Sequence, residues 1–294
     1  MHVAILGTGN IGTDLLIKVL RSEFLDCSIF AGRNYKSAGM QKARTLDVPC
    51  SDKGIDYLLK NKDQFDLVFD ATSAESHLKN LFSLKKMGKK VIDLTPSNNG
   101  MMCVPSINIK ASLKHKESNL ITCGGQASLP VAYSISQTHD DIEYLEVVVS
   151  ASSKSAGPAS RANVDEYITT TERALKYFTG VKKVKTLLVL NPAVPGVDMQ
   201  TTIFAKVKNH NLEKLSSFLD TIVKEVQSYV PGYRIEIGPI WEGNRIVVIV
   251  KVKGLGDYLP KFAGNLDIIN CAAVTIAEEY AKEIKGNERK VNYK

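Results

Sequence analysis

The sequence predicts an α/β protein of two domains, in which a doubly wound parallel sheet is followed by an α+β domain. Three observations predict this fold class. A glycine-rich turn stands between a short apolar strand and a helix at the start of the chain. Strand and helix patterns then alternate through the first third, which is typical of a parallel sheet with right-handed crossovers. From Ile142 onward strands follow one another with few helices, which favours a mixed or antiparallel sheet.

Length and composition indicate an ordinary globular protein and exclude several classes. The 294 residues are enough for two hydrophobic cores, and 44% hydrophobic with 23% charged residues is a typical balance. No apolar run approaches the roughly 20 residues that span a bilayer, and the glycine-rich turn begins too early for a signal peptide. We therefore expect a cytoplasmic protein without membrane contact. The net charge of +7 is spread along the chain without interleaved aromatic residues, which argues against a nucleic-acid partner.

Cysteines and histidines give no sign of a disulfide framework or a metal site. The cysteines are odd in number, stand far apart and include no Cys-x-x-Cys pair. We predict no structural metal, and surface or structural roles for the scattered histidines. The cysteines are Cys27, Cys50, Cys103, Cys123 and Cys271, and the histidines are His2, His77, His115, His139 and His210.

The first strand, at residues 2–6, leads directly into Gly7-Thr8-Gly9-Asn10-Ile11-Gly12, and a helical pattern follows to Arg21. This is the G-x-G-x-x-G fingerprint in the strand–turn–helix context that dinucleotide binding requires. Gly7 allows the tight turn, Gly9 lets a pyrophosphate approach the backbone, and Gly12 lets the helix pack closely on the strand. The turn predicts a dinucleotide site; a glycine-rich turn that binds nothing is the alternative.

Further strands are predicted at residues 27–31, 66–70, 90–94 and 120–122, with a helix that runs through Leu84. Ligands of parallel sheets bind beyond the carboxyl ends of the strands. These ends fall at Gly7, Ala71-Thr72, Thr95-Pro96 and Cys123. We expect them to converge on one crevice, with the cysteine at its edge.

Cys123 follows the last of these strands and begins a helix-compatible segment with two glycines, Gly124 and Gly125. The unpaired N–H groups and positive dipole end of a helix N-terminus favour the thiolate, which is the nucleophilic form. The glycines leave room for a substrate carbonyl beside backbone donors that would bind an oxyanion. We interpret Cys123 as a nucleophile; a buried, inert cysteine is the alternative.

The second half of the chain contains strand patterns at residues 142–150, 186–190, 202–208, 234–240 and 245–252. Helix patterns cover residues 164–178, 212–229 and 266–284. The apolar face of the last helix is suited to pack back on the first domain. We predict a dinucleotide-binding domain at residues 1–122, joined by the C-terminal helix 266–294, and a catalytic and dimerisation domain at residues 123–265.

Several ordered blocks together resemble the acylating acetaldehyde dehydrogenases, which convert an aldehyde, coenzyme A and NAD+ into acyl-CoA and NADH. The resemblance runs from about Val3 to Ala273. Beside the glycine-rich turn, it rests on Phe69-Asp70-Ala71-Thr72-Ser73-Ala74, Ile92-Asp93-Leu94-Thr95-Pro96, Thr122-Cys123-Gly124-Gly125-Gln126-Ala127, residues 152–158, residues 161–166, Tyr229-Val230-Pro231-Gly232-Tyr233, Tyr258-Leu259-Pro260 and residues 263–268.

The resemblance implies a catalytic domain like that of glyceraldehyde-3-phosphate dehydrogenase, with Cys123 as the residue that carries the acyl thioester. The backbone N–H groups of Cys123 and Gly124, or the side chain of Gln126, would hold the oxyanion; for Gln126 a helix-surface amide is the alternative. Coenzyme A would be the co-substrate. The implied dinucleotide-binding residues are Thr8, Gly9, Asn10, Ile11, Ser155, Ala156, Gly157, Pro158, Ala159, Ser160, Arg161, Ala162, Asn163 and Asn265.

The resemblance also implies partners. The small-molecule partner would be an aldehyde or acyl-CoA. The fold favours a homodimer, and family enzymes often pair with a 4-hydroxy-2-oxoacid aldolase that hands over the aldehyde. We expect an aldolase-like partner for this chain as well.

One departure from the family concerns the cofactor. The family carries an acidic residue after the second strand, which binds the adenosine ribose diol, and Asn34 stands in its place here. Without that carboxylate a 2′-phosphate is not repelled, and Arg33 is available to pair with it. We predict that NADP(H) is used at least as well as NAD(H). The alternative is an Arg33 that faces solvent and a preference for NAD(H).

A second departure lies in residues 191–202. The family has a glutamate near Val194 and an Arg-Asp pair near Gln200-Thr201, and these charges are absent here. Asp198 is a nearby substitute. We hypothesise a larger or different acyl group, with reduction of an acyl-CoA to an aldehyde as the working direction.

Two other functions compete with this interpretation. A phosphate-using semialdehyde dehydrogenase of the same fold typically has a catalytic histidine, for which no motif follows Cys123. The alternative of a non-catalytic dinucleotide-binding protein that regulates an aldolase-like enzyme gains some support from the lost Arg-Asp pair and little from the intact block around Cys123.

Overall fold

The computed structural model describes residues 1–157, 161–208 and 211–291, with side chains up to residue 286. The chain divides into two compact units, Met1–Leu120 with Asn270–Lys294, and Ile121–Ile269. The first contains a parallel sheet between helices and the second a mixed sheet with helices, which confirms the predicted fold class. Among the described helices, none is both long and apolar enough to cross a membrane.

The first unit is built on a parallel sheet. Its strands are β1 (His2–Leu6), β2 (Asp26–Ala31), β3 (Cys50–Ser51), β4 (Leu67–Asp70), β5 (Lys90–Asp93), β6 (Met101–Met102) and β7 (Glu117–Asn119). Its helices are α1 (Asn10–Arg21), α2 (Ala38–Thr45), α3 (Gly54–Lys60), α4 (Ala74–Met87) and α5 (Pro105–Leu113). The strand order β3-β2-β1-β4-β5-β7-β6 reverses direction at β1. In doubly wound sheets this reversal point is where ligands bind.

The second unit is built on a five-stranded sheet and the helices that cover one of its faces. Its strands are β8 (Tyr144–Ser152), β9 (Val184–Asn191), β10 (Met199–Lys206), β11 (Tyr233–Glu242) and β12 (Arg245–Val252). Its helices are α6 (Cys123–Thr138), α7 (Val164–Thr179) and α8 (Leu212–Gln227), and α9 (Gly264–Val291) begins here and continues into the first unit. The order is β11-β12-β10-β8-β9, with β8 and β9 parallel and the other pairs antiparallel. Helix α6 packs against α7, α8 and β10.

The helix-free face of this second sheet carries an apolar row. Leu187 lies beside Val148, which lies beside Thr202. Thr202 pairs with Ile249, which pairs in turn with Ile237. Leu187 and Ile237 are 41% and 47% exposed, although both are large and apolar. An antiparallel sheet with one face on a helical layer normally presents polar residues on the other, so this row is unusual for a surface.

The strand predicted at residues 120–122 is displaced in the structure. Strand β7 ends at Asn119, and Ile121 has a φ of +67°, which is incompatible with an extended strand. Leu120 and Ile121 are both fully buried, so their apolar character indicates burial in a turn and not in a strand. The short strands β3 and β6 and the helices α2, α3 and α5 were not predicted, because their patterns are too brief to show a period.

A buried ion-pair cluster joins helix α4 to three strands of the first unit. His77 on α4 is fully buried, and its Nδ1 lies 2.9 Å from Asp70 Oδ2 and 3.6 Å from Asp93 Oδ1. Its Nε2 lies 2.9 Å from Glu117 Oε1. The carboxylates come from the end of β4, the end of β5 and the start of β7. One imidazole therefore holds three strands against one helix.

His77 is the counterion of this cluster. Burial alone would lower the pKa of His77, but hydrogen bonds to Asp70 and Glu117 and the charge of Asp93 raise it to about 10. Burial also raises the pKa of Asp93 to about 6. The acceptor atoms of His77, Asp93 and Glu117 lie within 4.8 Å of one another, which is metal-ligand spacing. A protonated imidazole has no lone pair for a metal, so we interpret the cluster as an ion-pair network.

We predict that His77→Asn lowers the free energy of unfolding by about 3–5 kcal/mol, because it leaves buried carboxylates without their counterion. The folded-state pKa of His77, about 10, lies above its ordinary value of 6.5. The contribution of His77 is therefore complete below about pH 6.5 and is lost as the pH rises through about 10. Urea unfolding at both ends of this range measures the change. His115→Asn, at an exposed histidine of the same unit, is the control; an equal effect of both variants would contradict the prediction.

Candidate active site

Helix α6 begins at a turn that combines strain with a complete cap. Ile121 has a left-handed φ of +67°, which is rare for a β-branched residue and is typical of functional sites. Thr122 follows as the N-cap, and its Oγ1 accepts a hydrogen bond of 2.8 Å from the N–H of Gly125. Its carbonyl oxygen accepts the N–H of Gln126 at 2.9 Å. The N–H groups of Cys123 and Gly124 are not used by this cap, and both act on the Cys123 side chain.

The Cys123 thiol is half-buried at this helix end. Its Sγ lies 3.6 Å from the Oη of Tyr167, in the first turn of α7. Burial raises the pKa of the Cys123 thiol, and the Tyr167 hydroxyl and the N–H groups of Gly124 and Cys123 lower it in part. The net direction is upward. The helix N-terminus therefore acts in the predicted direction, and desolvation of the sulfur opposes and outweighs it.

The two glycines after Cys123 make room for protein side chains. A Cβ at Gly124 would lie 2.2 Å from Tyr167 Oη and 2.8 Å from Val149 Cγ2. A Cβ at Gly125 would lie 2.9 Å from Cγ2 of Ile121. Tyr167 and Ile121 therefore occupy the places that side chains at positions 124 and 125 would take.

Gln126 is 1% exposed, which excludes the alternative of a helix-surface amide. Sequence reasoning missed Tyr167. It is the residue directly after the block at residues 161–166, and only the fold brings it close to Cys123. The glycine at position 124 was the available signal, since a bulky neighbour is a common reason for glycine in a helix.

In the second unit, the segment predicted to bind a dinucleotide is a loop held by hydrogen bonds to its own backbone. Ser155 is buried and donates to Ser152 O at 2.8 Å. Arg161 donates to Ala156 O at 3.1 Å and to Ser153 O at 2.9 Å. Pro158, Ala159 and Ser160 lie outside the described residues.

The other predicted residues of that unit flank this loop or start α9. No atom of the described residues lies within 4 Å of a Cβ at Gly157. Ala162 is exposed and Asn163 precedes α7. Asn265, in the first turn of α9, is 5% exposed, and its Oδ1 has no hydrogen-bond partner among the described residues. A buried amide oxygen without a partner in this part of the chain is suited to accept a hydrogen bond from a ligand.

The glycine-rich turn of the first unit separates two roles of glycine. Gly7 has a φ of +114°, and a Cβ at Gly12 would lie 1.9 Å from Gly7 O, so the fold itself requires both. Gly9 has an ordinary φ of −80°, and no described atom lies within 4 Å of a Cβ built there. Gly9 caps α1 without a side chain, which leaves the first N–H groups of Asn10 and Ile11 for another acceptor. These features fit a bound pyrophosphate.

The segment with Arg33 and Asn34 packs beside this turn. A Cβ at Gly32 would lie 2.5 Å from Thr8 Oγ1, and Thr8 Oγ1 is 3.3 Å from Ser37 Oγ. Arg33 and Asn34 are both exposed. Asn34 Oδ1 accepts the N–H of Lys36 at 2.9 Å, which leaves its amide N–H groups as donors. The structure thus places Gly32, the residue before Arg33 and Asn34, against Thr8 at the end of β2.

The stretch without the family's charges lies at the start of β10. Asp198, the suggested substitute, is 3.9 Å from Arg234 of β11, and Val194 is 76% exposed. Thr201 is 1% exposed and pairs with Val149, the residue that also packs near Gly124. The structure therefore places the neutral hydroxyl of Thr201, and not a carboxylate, beside Val149, which packs near the start of α6.

His139 lies at the opposite end of α6 from Cys123, about 24 Å away at the usual rise of an α-helix. In the second unit it is the one histidine among the described residues, since His210 lies outside them. A Cys–His pair with His139 is excluded. This weakens the semialdehyde dehydrogenase alternative.

Comparison with known proteins covers nearly the whole chain. Residues 123–260 match the family described as prokaryotic acetaldehyde dehydrogenase, dimerisation. A protein of Spirochaeta aurantia named acetaldehyde dehydrogenase is 56% identical over 282 residues, 96% of this chain and 95% of that protein. Proteins of the same name from Pectobacterium atrosepticum and Burkholderia thailandensis are 52% and 51% identical, over 95% and 94% of this chain and 95% and 93% of their own lengths.

Proposed function

The chain belongs to the acetaldehyde dehydrogenase family, and from this we propose that it is a CoA-acylating aldehyde dehydrogenase that carries its acyl group on Cys123. The observation that carries the proposal is the position of Cys123. Its half-buried sulfur lies at the first turn of α6, with two backbone N–H groups and one hydroxyl directed at it. A nucleophile and donors for an oxyanion thus share one helix end.

The chemistry follows from these groups. The Cys123 thiol first loses its proton to solvent, which reaches the half-buried sulfur. The thiolate then attacks the aldehyde carbon, the C–S bond forms, and the carbonyl oxygen takes the electron pair of the C=O bond. The N–H groups of Cys123 and Gly124 stabilise that oxygen, with Gln126 as a further donor. When bound, a nicotinamide would supply the hydride acceptor for this carbon, and the group held on Cys123 would then be a thioester. The thiolate of coenzyme A then attacks the thioester, the bond to Sγ breaks, and Cys123 recovers its electron pair. The reverse sequence reduces an acyl-CoA.

We predict that an acyl-CoA loads one acyl group on the protein in the absence of dinucleotide, and that Cys123→Ala abolishes this loading. Without a nicotinamide to supply hydride, transfer from coenzyme A to Sγ is the half-reaction left. Intact-protein mass spectrometry gives the added mass, and peptide mapping gives its position. Cys50→Ala is the matched control, because Cys50 is the other half-buried cysteine.

The same two variants are then compared by nicotinamide absorbance with a panel of acyl-CoAs. Turnover that needs both a CoA thioester and Cys123 supports the proposal. Dinucleotide binding without loading or turnover would instead support the regulatory alternative. A wide margin in favour of acetyl-CoA would contradict the hypothesis of a larger acyl group.

We further propose that the dinucleotide site accepts NADP(H) at least as well as NAD(H). Support comes from the exposed Arg33 beside the glycine-rich turn and from the absence of a carboxylate at Asn34. An aspartate at position 34 would keep the oxygen that accepts the Lys36 N–H. The substitution Asn34→Asp therefore changes the charge while it preserves the local turn.

We predict that Asn34→Asp lowers kcat/KM for NADPH roughly tenfold and leaves kcat/KM for NADH unchanged or higher, because the new carboxylate repels a 2′-phosphate. Gly9→Ala is the control. It is sterically tolerated by the fold but obstructs the pyrophosphate, so it weakens both cofactors alike. Steady-state kinetics gives the kcat/KM of each variant relative to the parent protein, once with NADPH and once with NADH. A parent protein that strongly prefers NADH would sink the proposal.

We also propose that two copies of the chain associate through the apolar row on the helix-free face of the second sheet. The row lies within the region that matches the family's dimerisation description, and Leu187 and Ile237 at its edges are exposed. Burial of such a row is the usual driving force for a homodimer. The aldolase-like partner remains a prediction.

We predict that Ile249→Glu, between Thr202 and Ile237 in this row, converts a dimer into a monomer, because it places a charge in an apolar interface. Sedimentation equilibrium measures the mass. Leu78→Glu, at an exposed apolar residue of α4 in the first unit, is the control and leaves the dimer intact. A parent chain that sediments as a monomer would refute the proposal.

A further inference from the structure

Tyr167 is held against Cys123 by the shape of the helix N-terminus. Its Oη is 3.6 Å from Cys123 Sγ, within hydrogen-bond distance for sulfur. The same oxygen occupies the place of a side chain at Gly124, since a Cβ there would lie 2.2 Å away. The hydroxyl therefore reaches the sulfur across a residue that has no side chain to block it.

A chain of hydrogen bonds fixes the turn that carries Tyr167. Thr122 Oγ1 accepts the N–H of Gly125, lies 2.7 Å from Thr171 Oγ1, and Thr171 Oγ1 donates to Tyr167 O at 2.7 Å. Each hydroxyl has one proton. Thr171 gives its proton to the Tyr167 carbonyl. These contacts join the start of α6 to the turn of α7 and leave little freedom in the Tyr167 backbone.

The direction of the Tyr167–Cys123 hydrogen bond follows from the charge on the sulfur. Either group can donate while Cys123 is a thiol, but a thiolate has no proton, so in that state the Tyr167 hydroxyl is the donor. Burial raises the pKa of Tyr167 well above its ordinary value, so the hydroxyl keeps its proton. Tyr167 is therefore a donor to the sulfur and not a base.

We propose that Tyr167 is a catalytic residue whose hydroxyl donates a hydrogen bond to the Cys123 thiolate and stabilises it in both halves of the reaction; this rests on the proposed function of Cys123. The sulfur carries negative charge before it attacks the aldehyde, and again when coenzyme A displaces it from the thioester. In the thioester the sulfur is neutral and a weak acceptor. The hydrogen bond is thus strongest in the states that have to be stabilised.

The groups that lower the pKa of the Cys123 thiol are neutral. The groups that act on Cys123 are the Tyr167 hydroxyl and the backbone N–H groups of Cys123 and Gly124. Tyr167 is the side chain among them. Its removal is therefore expected to leave the sulfur to the two backbone donors alone.

The test compares Tyr167→Phe with Tyr177→Phe, a matched change at an exposed tyrosine of the same helix. Both are made in the Cys50→Ala background, and iodoacetamide alkylation of Cys123 is followed by peptide mass spectrometry from neutral to alkaline pH. We expect Tyr167→Phe to slow alkylation at neutral pH about tenfold, which equals about 1.4 kcal/mol, and to move the pH profile to higher pH. Tyr177→Phe leaves both unchanged.

A second variant covers the case in which Tyr167→Phe does not fold, as judged by thermal unfolding. Thr171→Val removes the hydroxyl that holds the Tyr167 carbonyl, and Thr171→Ser restores it. We expect slower alkylation in the first and the parent rate in the second. An unchanged Cys123 profile in a folded Tyr167→Phe protein, or equal rates in the two Thr171 variants, would overturn the proposal.

Turnover separates this proposal from the proposed function. If Cys123→Ala abolishes acyl loading but the Tyr167→Phe alkylation profile equals that of the parent, Cys123 is the nucleophile and Tyr167 is only a packing residue. If the profile shifts while acyl loading never occurs in any variant, Tyr167 tunes a thiol whose reaction is not the one proposed. If acyl loading on Cys123 occurs and the Tyr167→Phe alkylation profile shifts, we expect Tyr167→Phe to lower kcat with little change in KM for the acyl-CoA. The reason is that the hydroxyl contacts the sulfur and not the substrate tail.

Discussion

The first N–H groups of helix α6 have to find acceptors in a buried environment, and the candidate active site depends on how they do so. Thr122 accepts two of them: its hydroxyl oxygen accepts the N–H of Gly125, and its carbonyl oxygen accepts the N–H of Gln126. The N–H groups of Cys123 and Gly124 are left over. They act on the sulfur in the resting chain, and in the proposed reaction they become the donors for the oxyanion. Capping and catalysis thus draw on one set of backbone groups.

Much of the frame could be predicted from the sequence, because strand and helix periods are local properties. Strands β1 and β12 have the predicted bounds, and the family resemblance is confirmed by relatives at more than 50% identity. The contacts that define the site could not be predicted. Tyr167 is 44 residues from Cys123 in the chain, and the partners of His77 come from three different strands. Neither contact leaves a periodic trace, and both depend on tertiary packing.

The glycines show how much of a turn local reasoning can predict. In the first unit the positive φ of Gly7 and the close packing at Gly12 agree with the roles expected from the G-x-G-x-x-G pattern, and the space beside Gly9 is consistent with ligand approach. At Gly124 and Gly125 nothing local in the sequence indicates that Tyr167 and Ile121 occupy the side-chain positions. A glycine indicates that a Cβ is excluded or unnecessary at its position. The tertiary structure decides whether a protein side chain or open space lies where that Cβ would be.

The missing Arg-Asp pair gives a physical reason for a neutral donor at Cys123. With Gln200 and Thr201 at those positions, no carboxylate lies on β10 beside Val149, and Asp198 is near Arg234. Burial raises the pKa of the Cys123 thiol, so the thiolate has to be stabilised by groups at contact distance. Dipoles fixed by the fold do this without a charge of their own to desolvate. A hydroxyl placed by Gly124 and held by Thr122 and Thr171 is such a group, and it acts on the sulfur whichever acyl chain is bound.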